Sequence, residues 1–192
     1  ATIDTTTLIQ GFKITNGGNV SNGGGFFCNN ASPVLTKILI TNNVSNQNGG
    51  GLYLEISNLF LHDVTIIDNI SGLGSGNGGG IYCGSNSSPN LSNVRLENNE
   101  AYRGGGIYCG YNSSAVLLNI FINQNSAWEG GGLYCSQSNT NLSHVLILKN
   151  IASYEGGGIK CWNSNDTFEY VDLVANISNK GGGISLRSSN SA

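Results

Sequence analysis

The groups in this chain best suited to chemistry are five Asp, two His and five Cys. Glycoside hydrolysis needs two carboxylates about 5–10 Å apart, and a lyase needs clustered acids beside a basic residue. Asp4, Asp63, Asp68, Asp166 and Asp172 do not recur at matching positions, and the nearest two, Asp63 and Asp68, fall on different faces. His62 and His144 have no evident nucleophile or acidic partner. A polysaccharide lyase or hydrolase is thus a weak reading. The expectation is a non-enzymatic chain with no catalytic residue and no cofactor.

The cysteines are placed more regularly. Cys83, Cys109, Cys135 and Cys161 stand 26 residues apart, and Cys28 falls on the same column. Such a row invites disulfide or metal chemistry. Leu54 and Leu186 take the same position in other copies, however, so the column accepts an apolar filler. No CxxC or His-rich cluster accompanies it. Buried free thiols are expected, with no metal.

What sets these residues in columns is an internal repeat. Glycine triplets begin at Gly23, Gly49, Gly78, Gly104, Gly130, Gly156 and Gly181, with steps of 26, 29, 26, 26, 26 and 25 residues. The longer step is absorbed by Gly72-Leu73-Gly74-Ser75-Gly76-Asn77, read as a loop bulge at a corner. After each triplet an apolar residue at position four and Cys or Leu at position six alternate with Tyr53, Tyr82, Tyr108, Tyr134 or Lys160 at position five. That alternation puts positions four and six inside and position five outside. The other half of each copy repeats Leu91, Val94, Leu96 and Asn99 at fixed spacing. It reads as a strand with a bend or a second short strand. No stretch has a helical period.

A 26-residue period of short strands with Gly, Asn and Ser corners predicts an all-β, single-domain right-handed parallel β-helix over 1–192, of about seven coils, incomplete at both ends. The pairing of GGGIY or GGGLY with an apolar-x-x-Asn element, as in Leu96-Glu97-Asn98-Asn99, resembles the right-handed β-helix repeats of polymorphic outer-membrane proteins and related secreted bacterial proteins. The resemblance implies an extracellular or cell-surface setting and leaves activity open.

The remaining columns divide into ladders and faces. Asn43, Asn69, Asn99, Asn125, Asn150 and Asn176 are expected to stack as a structural amide ladder, one per coil. Tyr53, Tyr82, Tyr108 and Tyr134 form an outward aromatic ladder, and Tyr102, Trp128 and Tyr154 another just before the triplets. Either stabilises the stack by ring contacts or offers a platform for glycans, an adhesin reading. Arg103, Glu129, Glu155 and Lys180 read as a weak surface pairing. A net charge of −3 excludes a nucleic-acid partner on electrostatic grounds, and no apolar run approaches the roughly 18 residues of a membrane span. The absence of Met is expected of a processed or trimmed chain, and a removed secretory signal fits it. The half-coils at Ala1 and Ala192 would complete one another, so the expected partner is a second copy stacked end to end into a filament, with a stalk as the simpler form.

Overall fold

Apolar residues two apart, interrupted by turn residues, permit only short strands. The computed structural model describes residues 3–72 and 74–188, and over these it contains strands of three to eight residues and no helix. Consequently no described helix is long and apolar enough to cross a membrane. The expectations about Ala1, Ala192 and Leu73 lie outside the described residues.

The strands pair only in parallel and form three sheets, of eleven, seven and three strands, wound into a β-solenoid of about seven turns. The seven-stranded sheet collects the strand after each triplet, such as Ile107–Cys109, Leu133–Ser136 and Ile159–Trp162. The eleven-stranded sheet collects the apolar-x-x-Asn halves. The small sheet consists of Glu100–Arg103, Ser126–Glu129 and Ile151–Glu155, just before the triplets. Pairing is in register with the repeat: Ile107, Tyr108 and Cys109 lie against Leu133, Tyr134 and Cys135. Sequence columns are therefore spatial columns, and Ile107, Cys109, Leu117, Ile120 and Ile122 join their counterparts above and below in one buried core. Ile184 and Leu186 depart from the inward expectation and are exposed, because no described coil lies over them.

Each coil turns at residues held in the left-handed region. The bend foreseen between Leu91 and Val94 is Asn93, with φ 54°, repeated by Lys37, Asp63, Asn119, His144 and Tyr170. In early coils it separates two strands, Asn90–Ser92 and Arg95–Glu97; later one strand, Val116–Asn123, runs through it. A second corner falls at Asn98, Gln124, Lys149 and Ala175, and a third at Asn30, Ile56, Gln137 and Asn163. Asn visits this region readily, whereas other L-residues lose about 1–2 kcal/mol there. Ile56 is the costliest, being β-branched at φ 51°.

Because Ile56 is also 53% exposed, Ile56→Asn removes the strain with little lost burial. The variant should gain about 1 kcal/mol and melt roughly 2–4 °C higher in a calorimetric scan. An unchanged or lower midpoint would mean that the backbone at this corner carries no such strain.

Candidate functional site

The ladder asparagines, the two aromatic columns and the charged column are positioned by the glycine corner. At Gly104 φ is +64°, which favours the absence of a side chain. A Cβ on Gly105 would sit 2.5 Å from the Gly131 carbonyl oxygen of the next coil, and one on Gly106 would sit 2.6 Å from that of Gly132 and 3.1 Å from an Ile122 methyl. Two coils therefore meet backbone to backbone. Inside this corner lie the ladder asparagines, all fully buried from Asn43 to Asn150. Each Nδ2 donates to the Oδ1 one coil on, over 2.9–3.0 Å from Asn43 through Asn69, Asn99, Asn125 and Asn150 to Asn176. Each Oδ1 also takes the backbone N–H of the preceding Asn, as Asn125 takes that of Asn99 at 2.9 Å. The second Nδ2 hydrogen goes to a strand carbonyl, Leu96 for Asn125. Asn43, Asn69 and Asn176 are also acceptor asparagines of Asn-x-Ser sequons, and as ladder members they are engaged in these bonds.

Outside the corner, the residue before the triplet and the residue at position five converge. Phe27, Tyr53, Tyr82, Tyr108 and Tyr134 stack with ring centroids 5.0–5.4 Å apart. Burial, with Glu55 beside it, pushes the Tyr53 phenol up to about 12, so these rings are neutral.

Two expectations about this face need correction. Tyr134 and Lys160 point away from the core yet are only 4% and 1% exposed. The charged column is no weak surface pairing either, since Glu129 and Glu155 are buried. Arg103 Nε donates to Glu129 Oε2 at 2.9 Å, and its guanidinium lies over the Tyr134 ring. Lys160 Nζ donates to Glu155 Oε2 and, at 3.0 Å, to Ser185 Oγ. Lys180 and Arg187 approach Glu155 Oε1 at 3.6 and 3.5 Å. Lys160 foremost holds the Glu155 carboxyl below its usual range, against the effect of burial. Sequence alternation fixed the direction of these side chains, but not how a concave corner covers them.

The other aromatic ladder stays open. Tyr102 and Trp128 stack at 6.4 Å and Trp128 and Tyr154 at 5.5 Å, with Trp128 44% exposed.

His62, read as partnerless, is not. Register sets it beside Ser92 of the next coil, so that its Nδ1 lies 2.8 Å from Ser92 Oγ and its Nε2 3.2 Å from Asp63 Oδ2. This has the composition of a hydrolytic triad without its setting. His62 and Asp63 are solvent-exposed, and the neighbouring N–H groups are engaged in the sheet, Asp63 N to Ser92 O and Asn93 N to Leu118 O. Those donors are not available to an oxyanion.

The cysteines are buried free thiols. Burial, with the Cys109 and Cys161 sulfurs on either side, pushes the Cys135 thiol well up. Cys135, Cys161 and Asp166 bring three potential metal-ligand atoms within 4.8 Å of one another, a grouping that separation in sequence concealed. Both Asp166 oxygens are engaged, Oδ1 by Thr140 N at 2.8 Å and Ser138 Oγ, and Oδ2 by Ser164 Oγ at 2.6 Å. Those bonds make the carboxylate a cap on this polar turn.

Two stretches, residues 37–55 and 63–84, match the Chlamydia polymorphic membrane protein repeat. Each runs from the bend through a ladder Asn and a complete triplet, the first to Glu55 and the second to Gly84. No curated protein matches the chain, and no solved structure does. The parallel β-solenoid agrees with repeats of this type. The match suggests a surface-exposed bacterial protein, associated with the outer membrane or cell surface, and a structural rather than enzymatic one.

Asn125→Ala leaves two buried Asn99 donors without an acceptor and should lower stability by about 3 kcal/mol in urea unfolding. Exposed Asn58 also accepts an intercoil bond, from Ser88 N at 2.8 Å, but water can replace it, so Asn58→Ala should cost under about 1 kcal/mol. Similar costs would deny the ladder its role. For Glu155, a folded-state pKa below the ordinary carboxyl value of 4.5 means the proton is bound less tightly when folded. Its stabilisation is complete above that value and is lost as pH falls through the lowered folded one. Acid unfolding should therefore be shallower below about pH 4.5 in Glu155→Gln; the same slope in both proteins would refute the ionised pair.

Proposed function

We propose that this chain is a non-catalytic structural solenoid of a bacterial surface protein, secreted or displayed on the cell, which extends coil on coil as a stalk or by end-to-end stacking of copies. The observation that carries this reading is the buried amide ladder running in register through the solenoid. A parallel, in-register coil offers its next neighbour the same edge that it receives from the last, so growth along the axis needs no new geometry. Lys160 holds Glu155 ionised, which does not suit that carboxyl to the role of general acid, for which the pKa must be raised.

A second reading, a glycan-binding adhesin, is favoured by the exposure of Trp128 between two stacked tyrosines. The covered Tyr134 moves that reading from the position-five ladder to Tyr102, Trp128 and Tyr154.

Electron microscopy of the purified chain over a concentration series tests self-association. Fibres with an axial repeat near seven coils at about 4.8 Å each, roughly 35 Å, are the expected result. Monodisperse short rods at every concentration would remove end-to-end stacking and leave the stalk.

A further inference from the structure

We propose that the cleft outside the glycine corner of the last coils is a binding site for a carboxylated saccharide. Its ring would lie on Trp162 and its carboxylate on Arg187. The cleft measures about 600 Å³ and is lined by Arg103, Glu129, Tyr134, Lys160, Trp162 and Arg187. It runs along the side of the solenoid across four coils. This goes beyond the structural reading and does not depend on self-association.

Charge selects the ligand class. Four cations, Arg103, Lys160, Lys180 and Arg187, share two carboxylates, Glu129 and Glu155. The carboxylates are buried beneath, while the Arg187 side chain is 60% exposed and approaches Glu155 at 3.5 Å, longer than a strong hydrogen bond. A chain of net charge −3 thus keeps a local positive surplus at this wall. A guanidinium fork matches a carboxylate with two parallel bonds.

Shape selects the sugar. Trp162 is 39% exposed, and its Cα pairs in register with that of Arg187 one coil on. Residues one strand spacing apart, about 4.8 Å, that line the same cleft can be reached together by one sugar ring and the carboxylate it carries. An exposed indole face packs against the C–H face of such a ring. Buried Lys160, fixed between Glu155 and Ser185, keeps the floor rigid, which reduces the ordering cost of binding.

The full chain is titrated calorimetrically at low salt with trigalacturonate, a hyaluronan tetrasaccharide and sialyllactose, and with fully methyl-esterified trigalacturonate, which keeps the sugar and removes the charge. At least one acidic saccharide should bind saturably, more weakly as salt rises, and the ester should not bind. Arg187→Gln and Trp162→Ala should each weaken binding about tenfold or more, with circular dichroism unchanged, and Trp128→Phe should have no effect. The proposal fails if none of the three acids binds, if the ester binds equally, if Arg187→Gln is silent, or if sodium sulfate competes as well as the saccharide. Loss on Trp128→Phe alone would also overturn it, placing the sugar on the outward ladder and leaving the adhesin reading intact.

Discussion

At the corner of each coil the backbones of successive turns approach so closely that a single methyl group would not fit between them. At Gly105 the added carbon would meet the Gly131 carbonyl at 2.5 Å, while the N–H groups of Gly105 and Gly106 bond to carbonyls of the next coil at 3.1–3.2 Å. Three residues without side chains have two further effects. Towards the inside they leave room for an amide directly beneath the turn, and towards the outside they leave a concavity into which flanking side chains lean. Stack, ladder and cleft are consequences of one steric condition.

The ladder explains why this corner is polar within an apolar core. The backbone N–H of Asn99 points at the next coil where no strand carbonyl is in register, and Asn125 Oδ1 supplies the acceptor. An apolar residue would leave that donor buried and unpaired, at about 1–3 kcal/mol. The amide also penalises slippage, because a one-residue shift would drive Asn out of the corner and put a charged or branched neighbour such as Glu100 or Ile70 into it. The aliphatic column beside it would tolerate exchange of Ile for Leu or Val, so the amides define the register more sharply than the core does.

Most of the fold was legible in the sequence because the period makes neighbours in space of residues at matching positions. The triplets, the Leu91-Val94-Leu96-Asn99 spacing and the alternation at Ile107-Tyr108-Cys109 each determined strand direction, burial and register. What stayed hidden was of two kinds. Curvature was one: alternation says that Tyr134 and Lys160 leave the core, but only the concave corner shows that Arg103, Glu129 and Glu155 close over them. The other was pairing across the irregular step. Ser92 lies 30 residues after His62 rather than 26, because extra residues intervene, so scanning by one period passes the contact by. Asp166 escaped for a related reason, as its partners at Ser138 and Thr140 belong to a polar turn with no fixed pattern.

The outer columns of this corner do not stay constant, and that drift carries information which the interior cannot. Before the triplet, Asn22, Asn48 and Asn77 form a second amide ladder, and the column then changes to Arg103, Glu129, Glu155 and Lys180. At position five the aromatic stack ends at Tyr134 and gives way to Lys160, while two residues further on Ser136 is followed by Trp162 and Arg187. Stacking alone supplies no reason for the change, since the amide and aromatic versions already satisfy the corner in the first coils. A buried ion pair such as Lys160–Glu155 is often no more stabilising than a well-packed apolar pair. Charge is gathered where the fold does not require it, beside an exposed Trp and an exposed Arg. That arrangement is accounted for by what it presents to solvent, so the constant interior is best understood as the frame and the variable corner as the surface that meets another molecule.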